Sequence, residues 1–181
     1  NIVVGIAEEA IPTQARLADD GWFETTLSYR VEHFAGPAAA ELNIATNRLD
    51  ETFAGMPFEV SLRADHPLTI NPGFDGINDR ELLTGEDTLA PGAQPPPIVM
   101  DVRFNPPDDR GRLLTRSTVT GRSMAADESV DGPDPDPDGN GDPEESSPTP
   151  ILYERNAVIG VAKSASATEH TGDGAFRTIL T

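Results

Sequence analysis

The sequence predicts an all-β fold, a Greek-key β-sandwich with long ordered loops. Three observations support this prediction: short segments alternate apolar and polar residues, turn residues separate these segments, and helical periodicity is almost absent. The 181 residues include 16 Gly and 17 Pro, a content that favours many turns over long helices.

The clearest strand covers residues 23–33. Its apolar face alternates with polar residues and comprises Phe23, Thr25, Leu27, Tyr29, Val31 and His33. Asp20 and Gly21 form a hairpin-turn signal before it, which predicts a partner strand at residues 2–7. Residues 98–104 and 113–121 give two further strands, and residues 40–45 and 57–63 give weaker ones. Only residues 48–53 and 79–83 have brief helical character. Several short strands of this kind are typical of an immunoglobulin-like sandwich.

An internal repeat adds a second element to this organisation. The opening "VGIAEEA" at residue 4 corresponds to "IGVAKSA" at residue 159, and "DDGWFETTLS" at residue 19 corresponds to "GDGAFRTILT" at residue 172. In this alignment Phe23 matches Phe176 and Leu27 matches Leu180. We therefore predict a repeat unit at 1–125, an acidic Pro/Gly-rich loop or linker at 126–150, and a closing strand plus the first hairpin of a second repeat at 151–181.

The charge balance limits the classes of partner. The chain has 31 acidic and 13 basic residues, a formal net charge of −18, and no Cys. Nucleic-acid binding requires a basic surface, and anionic membrane surfaces also attract basic proteins. No apolar run is long enough to span a bilayer. The sequence therefore favours cations as partners and predicts neither nucleic acid nor a membrane span.

The stretch "DGPDPDPDGNGDPEESSPTP" (131–150) has the ligand spacing of a twelve-residue calcium loop. Counting from Asp134, positions one, three, five, seven, nine and twelve hold Asp134, Asp136, Asp138, Asn140, Asp142 and Glu145. Hard Ca²⁺ is bound by oxygen ligands, and Gly139 at position six permits the required sharp bend. These six residues are the predicted Ca²⁺ ligands. Flanking prolines exclude a helix-loop-helix sensor, and the alternatives are a simple acidic linker and adventitious weak cation binding.

The remaining polar residues give weaker evidence for a functional site. A second acidic cluster comprises Asp75, Asn78, Asp79, Glu81 and Asp87, in a loop at 71–92 that is expected to pack through Phe74, Leu82, Leu83 and Leu89. Such loops usually form turns, and metal binding there stays open. His33 continues a strand face and is expected to be a packing residue. The sequence contains none of the usual catalytic or phosphate-binding motifs, so we predict that the protein is not an enzyme.

Several of these segments together resemble a known family. "IGVAKSASATEHTGDGAF" (159–176), "LSYRVEH" (27–33), "LDETFAG" (49–55), the 71–92 loop and the 131–150 stretch are similar to motifs of tandem immunoglobulin-like repeat domains in large bacterial surface and secreted proteins. The resemblance implies an extracellular, cell-surface location and neighbouring copies of the same repeat as partners, in one polypeptide or by strand exchange.

Two functions follow as expectations. The preferred one is a non-enzymatic structural repeat of an extracellular filament, adhesin or cell-surface stalk with Ca²⁺-stiffened joints. The alternative is a binding module that recognises carbohydrate or a surface ligand through the 71–92 loop.

Overall fold

A computed structural model describes residues 1–46, 48–155 and 163–180, and it confirms the predicted all-β sandwich. Within these residues the chain forms fourteen strands and one short helix. Their bounds are β1 Val3–Leu17, β2 Phe23–Ala35, β3 Ala40–Glu41, β4 Asn43–Thr46, α1 Leu49–Thr52, β5 Phe58–Leu62, β6 Thr88–Leu89, β7 Ile98–Phe104, β8 Arg110–Thr115, β9 Ser117–Thr120, β10 Asp127–Glu128, β11 Val130–Asp131, β12 Thr149–Glu154, β13 Glu169–His170 and β14 Phe176–Arg177.

The predicted first hairpin is confirmed as the antiparallel pair β1–β2, in which Ile6 lies opposite Val31. Strand β1 is longer than predicted and continues to Leu17. Strand β7 has the predicted bounds and pairs with the other edge of β2, with Phe23 opposite Phe104.

Strand β1 is also the connection between the acidic stretch and the sandwich. The largest sheet has the order β5-β7-β2-β1-β12-β8, and β11 pairs with β1 outside this path. Both β11 and β12 run parallel to β1, with Ala7 opposite Val130 and Gln14 opposite Leu152. A second sheet has the order β10-β9-β4. Strands on both sides of the acidic stretch therefore belong to the sandwich.

An aromatic cluster fills the core. The ring centroid of Phe104 lies 5.7 Å from that of Phe23, 5.5 Å from that of Phe53 and 5.6 Å from that of Tyr153. Phe23 and Tyr153 lie on strands separated by β1 in the sheet order, yet their centroids are only 5.4 Å apart. The sheet therefore closes around these rings. Phe53 also stacks on Phe58 of the edge strand β5.

Two predicted elements are wrong. The single strand expected at 113–121 is two strands, because β8 pairs with β12 whereas β9 pairs with β4. The brief helix expected at 79–83 is absent; Glu81 and Leu83 instead form isolated bridges to Ala45 and Ile70. The other helical segment, 48–53, is confirmed as α1.

The 71–92 loop is ordered, as expected, because its leucines reach the core. Leu82, Leu83 and Leu89 are buried, and Phe74 packs half-buried against the same cluster. His33 is also buried, with its ring nitrogens 3.1 and 2.8 Å from the carbonyl oxygens of Leu89 and Ala35. It is a packing residue, as predicted. Within the described residues no helix is long and apolar enough to cross a membrane.

The described C-terminal segment, 163–180, forms a separate two-stranded sheet, β13–β14. Its side chains are exposed: Phe176 is 70% and Leu180 58% exposed, whereas their repeat counterparts Phe23 and Leu27 are both 0% exposed. The first strand predicted for the second repeat includes residues 156–162, which lie outside the described residues. The domain boundaries at 125 and 150 stay a prediction.

Candidate metal centre

The two ends of the acidic loop are tied together at its base. We use "acidic loop" for residues 132–148, between β11 and β12. The Ser147 hydroxyl accepts a hydrogen bond from the Asp131 amide at 2.9 Å, and the Ser147 amide donates to the Ser129 carbonyl at 3.2 Å. The Glu8 carbonyl of β1 accepts from the Gly132 amide at 3.0 Å and from the Thr149 hydroxyl at 2.7 Å. These bonds satisfy polar groups that burial would otherwise leave unpaired.

Pro143 docks the middle of the acidic loop onto β1. A Cβ atom built on Gly5 would lie 2.4 Å from the Cβ of Pro143 and 2.9 Å from a ring carbon of Phe34. The two backbones therefore approach so closely that only glycine fits at this point of β1. This contact, together with the hydrogen bonds at the base, makes the acidic loop part of the sandwich surface instead of a free linker.

Within the loop, carboxylates bind backbone amides and so shape the chain. The Asp136 carboxylate accepts hydrogen bonds from the amides of Asn140 at 3.2 Å and Gly141 at 2.8 Å. The Asp138 carboxylate accepts from the Asn140 amide at 3.0 Å. Gly139 has a φ of +70°, which favours glycine and allows the turn predicted at this position. Such Asx turns bend the chain so that successive acidic side chains converge.

Three carboxylates converge to form a group that can hold a metal ion. Asp136, Asp138 and Glu145 each offer a carboxylate oxygen, and these oxygens lie within 4.8 Å of one another. Asp136 is buried, Glu145 is half-buried and Asp138 is exposed. Glu145 Oε2 is buried without a hydrogen-bond partner among the described residues. A buried carboxylate oxygen without a partner is unfavourable, and a bound cation would compensate it.

Half of the predicted ligand set is brought together in this way. Asp134 and Asp142 do not belong to the converging group of carboxylates. The Asp134 carboxylate accepts a hydrogen bond from the Asp136 amide at 3.1 Å, and the Asp142 amide donates one to the Asn140 side-chain oxygen at 2.7 Å. The side-chain amide of Asn140 in turn donates to Asp138 at 2.9 Å. These three residues shape the turn, and their predicted role as ligands stays a prediction.

A further acidic residue, Asp127, lies near both the metal group and the sandwich strand β1. Its carboxylate accepts a hydrogen bond from the Ile6 amide at 2.9 Å. Burial, together with the negative charges of Glu145 and Glu128, raises the pKa of Asp127 to about 7, although the Ile6 amide opposes this rise. Asp127 therefore lies close enough to the metal group for the charge of Glu145 to act on its carboxyl group.

A cleft of about 830 Å³ opens beside this region. The start of β1, residues 123–128 and part of the acidic loop line it. Both acidic and apolar side chains contribute to its walls, among them Asp127, Asp142 and Met124.

The second acidic cluster has a different structure. Asp75 uses one carboxylate oxygen to accept the amides of Ile77, Asn78 and Asp79 at 2.8, 2.7 and 2.9 Å. These bonds, the Ile77 amide first among them, lower the pKa of Asp75 to about 2. No group of three converging carboxylates forms here among the described residues. The cluster is a hydrogen-bonded turn, which is the usual role of Asp and Asn in loops.

The residues that anchor the loop could not be recognised as functional in the sequence. No role could be assigned to Gly5, Ser129, Ser147 or Thr149 from the sequence, because each acts through a partner that only the fold brings near. Comparison with protein-family models and with curated proteins finds no match.

Proposed function

We propose that the protein is a non-enzymatic structural repeat unit of an extracellular bacterial filament, adhesin or cell-surface stalk, in which the acidic loop binds a cation and stiffens its junction with the sandwich. The observation that carries this proposal is the convergence of Asp136, Asp138 and Glu145 in a loop tied at both ends to β1. A bound cation would offset the mutual repulsion of these carboxylates.

Calcium is the cation that this donor set favours. All candidate ligands are oxygens, and Ca²⁺ takes about six to eight oxygen ligands in flexible geometry. Zinc prefers nitrogen and sulfur, but the chain has no Cys. The nearest histidine in sequence, His170, lies far from the loop along the chain. Water and the remaining loop residues, Asp134, Asn140 and Asp142, would complete the coordination shell, as the twelve-residue spacing predicts.

Stiffening would follow from the position of the ligands. Asp136 and Asp138 lie in the first half of the acidic loop, and Glu145 lies four residues before the start of β12 at Thr149. A cation bound by all three would cross-link the two halves. Since the loop ends share the Glu8 carbonyl, this cross-link would also fix β11 and β12 relative to β1.

Neighbouring copies of the same repeat are the proposed partners. The exposed Phe176 and Leu180 correspond in the internal repeat to the fully buried Phe23 and Leu27. In the first copy, β7 and Tyr153 cover Phe23. The second hairpin would be covered equivalently by strands of another repeat, joined covalently in tandem or supplied by strand exchange.

A second candidate function has one observation in its favour. A groove of about 590 Å³ runs beside the edge strand β5 and the start of the 71–92 loop. His66, Asn71 and Phe74 contribute polar and aromatic side chains to its walls, and such combinations occur in ligand-binding sites. Under this alternative the loop recognises carbohydrate or a surface ligand.

Calorimetric titration with Ca²⁺ tests the preferred function. We expect heat of binding in the wild-type protein and a rise in the melting temperature with Ca²⁺ concentration, because the ion binds the folded state. The double variant Asp136→Ala, Asp138→Ala should lose at least about tenfold in affinity, since two charged ligands are removed. The matched control is Asp108→Ala, Asp109→Ala, which removes the same charge from exposed positions elsewhere. Equal binding by both double variants would show that these carboxylates are not the site.

A further inference from the structure

Glu8 is a buried carboxyl group without a counter-charge. Its side chain is 0% exposed in the interior of the sandwich. Oxygen Oε2 accepts hydrogen bonds from the hydroxyls of Ser117 at 2.9 Å and Ser129 at 3.3 Å. Oxygen Oε1 has no hydrogen-bond partner among the described residues. Fully buried glutamates are rare unless a positive group pairs with them.

The groups that surround Glu8 do not supply a positive charge. Tyr29 lies directly opposite Glu8 on β2, and Asp131 is its neighbour on β11. The hydroxyls of Tyr29 and Thr115 are buried and also lack hydrogen-bond partners. Among the described residues, no Arg, Lys or His forms a salt bridge or hydrogen bond with the Glu8 carboxylate. A proton is therefore the simplest way to neutralise this carboxyl group, and the protonated group could donate to a neighbouring hydroxyl.

The same residue lies at the base of the acidic loop. The Glu8 carbonyl binds Gly132 at the start of the loop and Thr149 just after it. Ser129, which donates to the Glu8 carboxylate, accepts the Ser147 amide through its carbonyl. A change in the charge of Glu8 therefore acts on the residues that hold both ends of the loop.

We propose that Glu8 is a buried proton-binding residue whose ionisation loosens the attachment of the acidic loop to β1. The inference draws on the proposed function only for the use of the loop; proton binding by Glu8 does not depend on any cation.

The direction of the pH effect follows from the burial of this group. Burial raises the pKa of Glu8 from 4.5 to about 7, and the negative charge of Asp131 adds to this rise, while hydrogen bonds from Ser117 and Ser129 oppose it. The folded state therefore holds the proton more tightly than the unfolded state. The resulting stabilisation is complete below about pH 4.5 and is lost as the pH rises to about 7. This difference corresponds to roughly a 300-fold change in the folding equilibrium constant.

The test compares wild type with Glu8→Gln in the presence of a chelator, so that metal binding plays no part. Denaturant unfolding between pH 5 and pH 8.5 should show a loss in the folding equilibrium constant that is roughly 70-fold larger in wild type than in Glu8→Gln. Asp127 contributes equally to both proteins, so the difference between them reports Glu8. Glu9→Gln, at the next position, is the matched control and should behave as wild type.

Carboxyl NMR provides a direct measurement that does not require the variant to fold. The Glu8 carboxyl carbon of the wild-type protein should titrate with a midpoint near 7. The protection of the Gly132 and Ser147 amides, measured relative to their intrinsic exchange rates, should fall once Glu8 is ionised. A Glu8 midpoint near 4.5, or equal pH dependence of wild type and Glu8→Gln, overturns the inference. Either result would leave the Ca²⁺ titration unaffected.

Discussion

Replacing Gly5 with Ala is expected to dislodge the acidic loop from β1 and to reduce the free energy of unfolding by about 1–3 kcal/mol, as overpacked sites usually do. The new Cβ would lie 2.4 Å from Pro143 Cβ and 2.9 Å from its Cγ. A proline ring cannot rotate away, so the loop or the strand has to move. Denaturant unfolding measures the loss of stability, and Ca²⁺ titration of the same variant should show weakened binding although no ligand has been changed.

A compensating substitution distinguishes this contact from a general weakening of β1. The double variant Gly5→Ala, Pro143→Gly removes the opposing Cβ. It should recover most of the stability that Gly5→Ala loses through its clash with Pro143, whereas the loss caused by the added flexibility of glycine in the loop should remain. Strictly additive effects of the two substitutions would contradict the proposed docking of Pro143 on Gly5.

The second large effect is expected in the core, where Phe104→Ala should reduce the free energy of unfolding by about 3–5 kcal/mol. The ring of Phe104 lies within 5.7 Å, centroid to centroid, of Phe23, Phe53 and Tyr153. Its removal leaves a cavity between β2, β7 and β12 that the sheet cannot easily close. Chemical denaturation measures the change, and the transition midpoint should fall with little change in its slope.

Leu114→Ala is the control for this substitution, because Leu114 is 45% exposed on the edge strand β8. It should change the stability by less than about 0.5 kcal/mol, as surface substitutions usually do. Similar losses in the two variants would mean that the aromatic cluster is not the centre of the core.

The alternation of apolar and polar residues predicts most of the large sheet, but it does not predict which strands pair. Residues 98–104 alternate throughout and form β7 with the predicted bounds. In 113–121 the buried positions Thr115, Ser117 and Val119 keep the same phase across Arg116. The chain nevertheless changes from one sheet to another at that residue. A period of two contains no information about which strand lies alongside. The sequence therefore predicts one strand where the structure has two.

The incorrect helix at 79–83 has a related cause. Leu82 and Leu83 are adjacent and both fully buried. In the sequence, this pair of leucines resembles the short-range periodicity of a helix. The local backbone instead follows the turn that Asp75 builds with the amides of residues 77–79. Side-chain hydrogen bonds to backbone amides compete with helix formation in this way.

For the metal centre, the local spacing predicts which residues can meet, whereas the fold determines where the loop lies. Asp136, Asp138 and Glu145 are close in sequence, and their convergence depends on turns at Gly139 and Gly141. The anchors are distant: Thr149 and Glu8 are 141 positions apart. The buried carboxyl of Glu8 also gave no signal, since an isolated glutamate in a strand usually faces solvent.

Hydrogen exchange of residues 130–154 with and without Ca²⁺ tests the central claim most directly. If a cation cross-links Asp136, Asp138 and Glu145, Ca²⁺ should slow exchange at the amides of Asn140, Gly141 and Asp142 and at those of β11 and β12, which the loop joins to β1. Residues 71–92, where no such carboxylate group forms, should exchange at the same rate in both conditions. Unchanged exchange in the acidic loop at saturating Ca²⁺ would contradict the claim that a cation stiffens this junction.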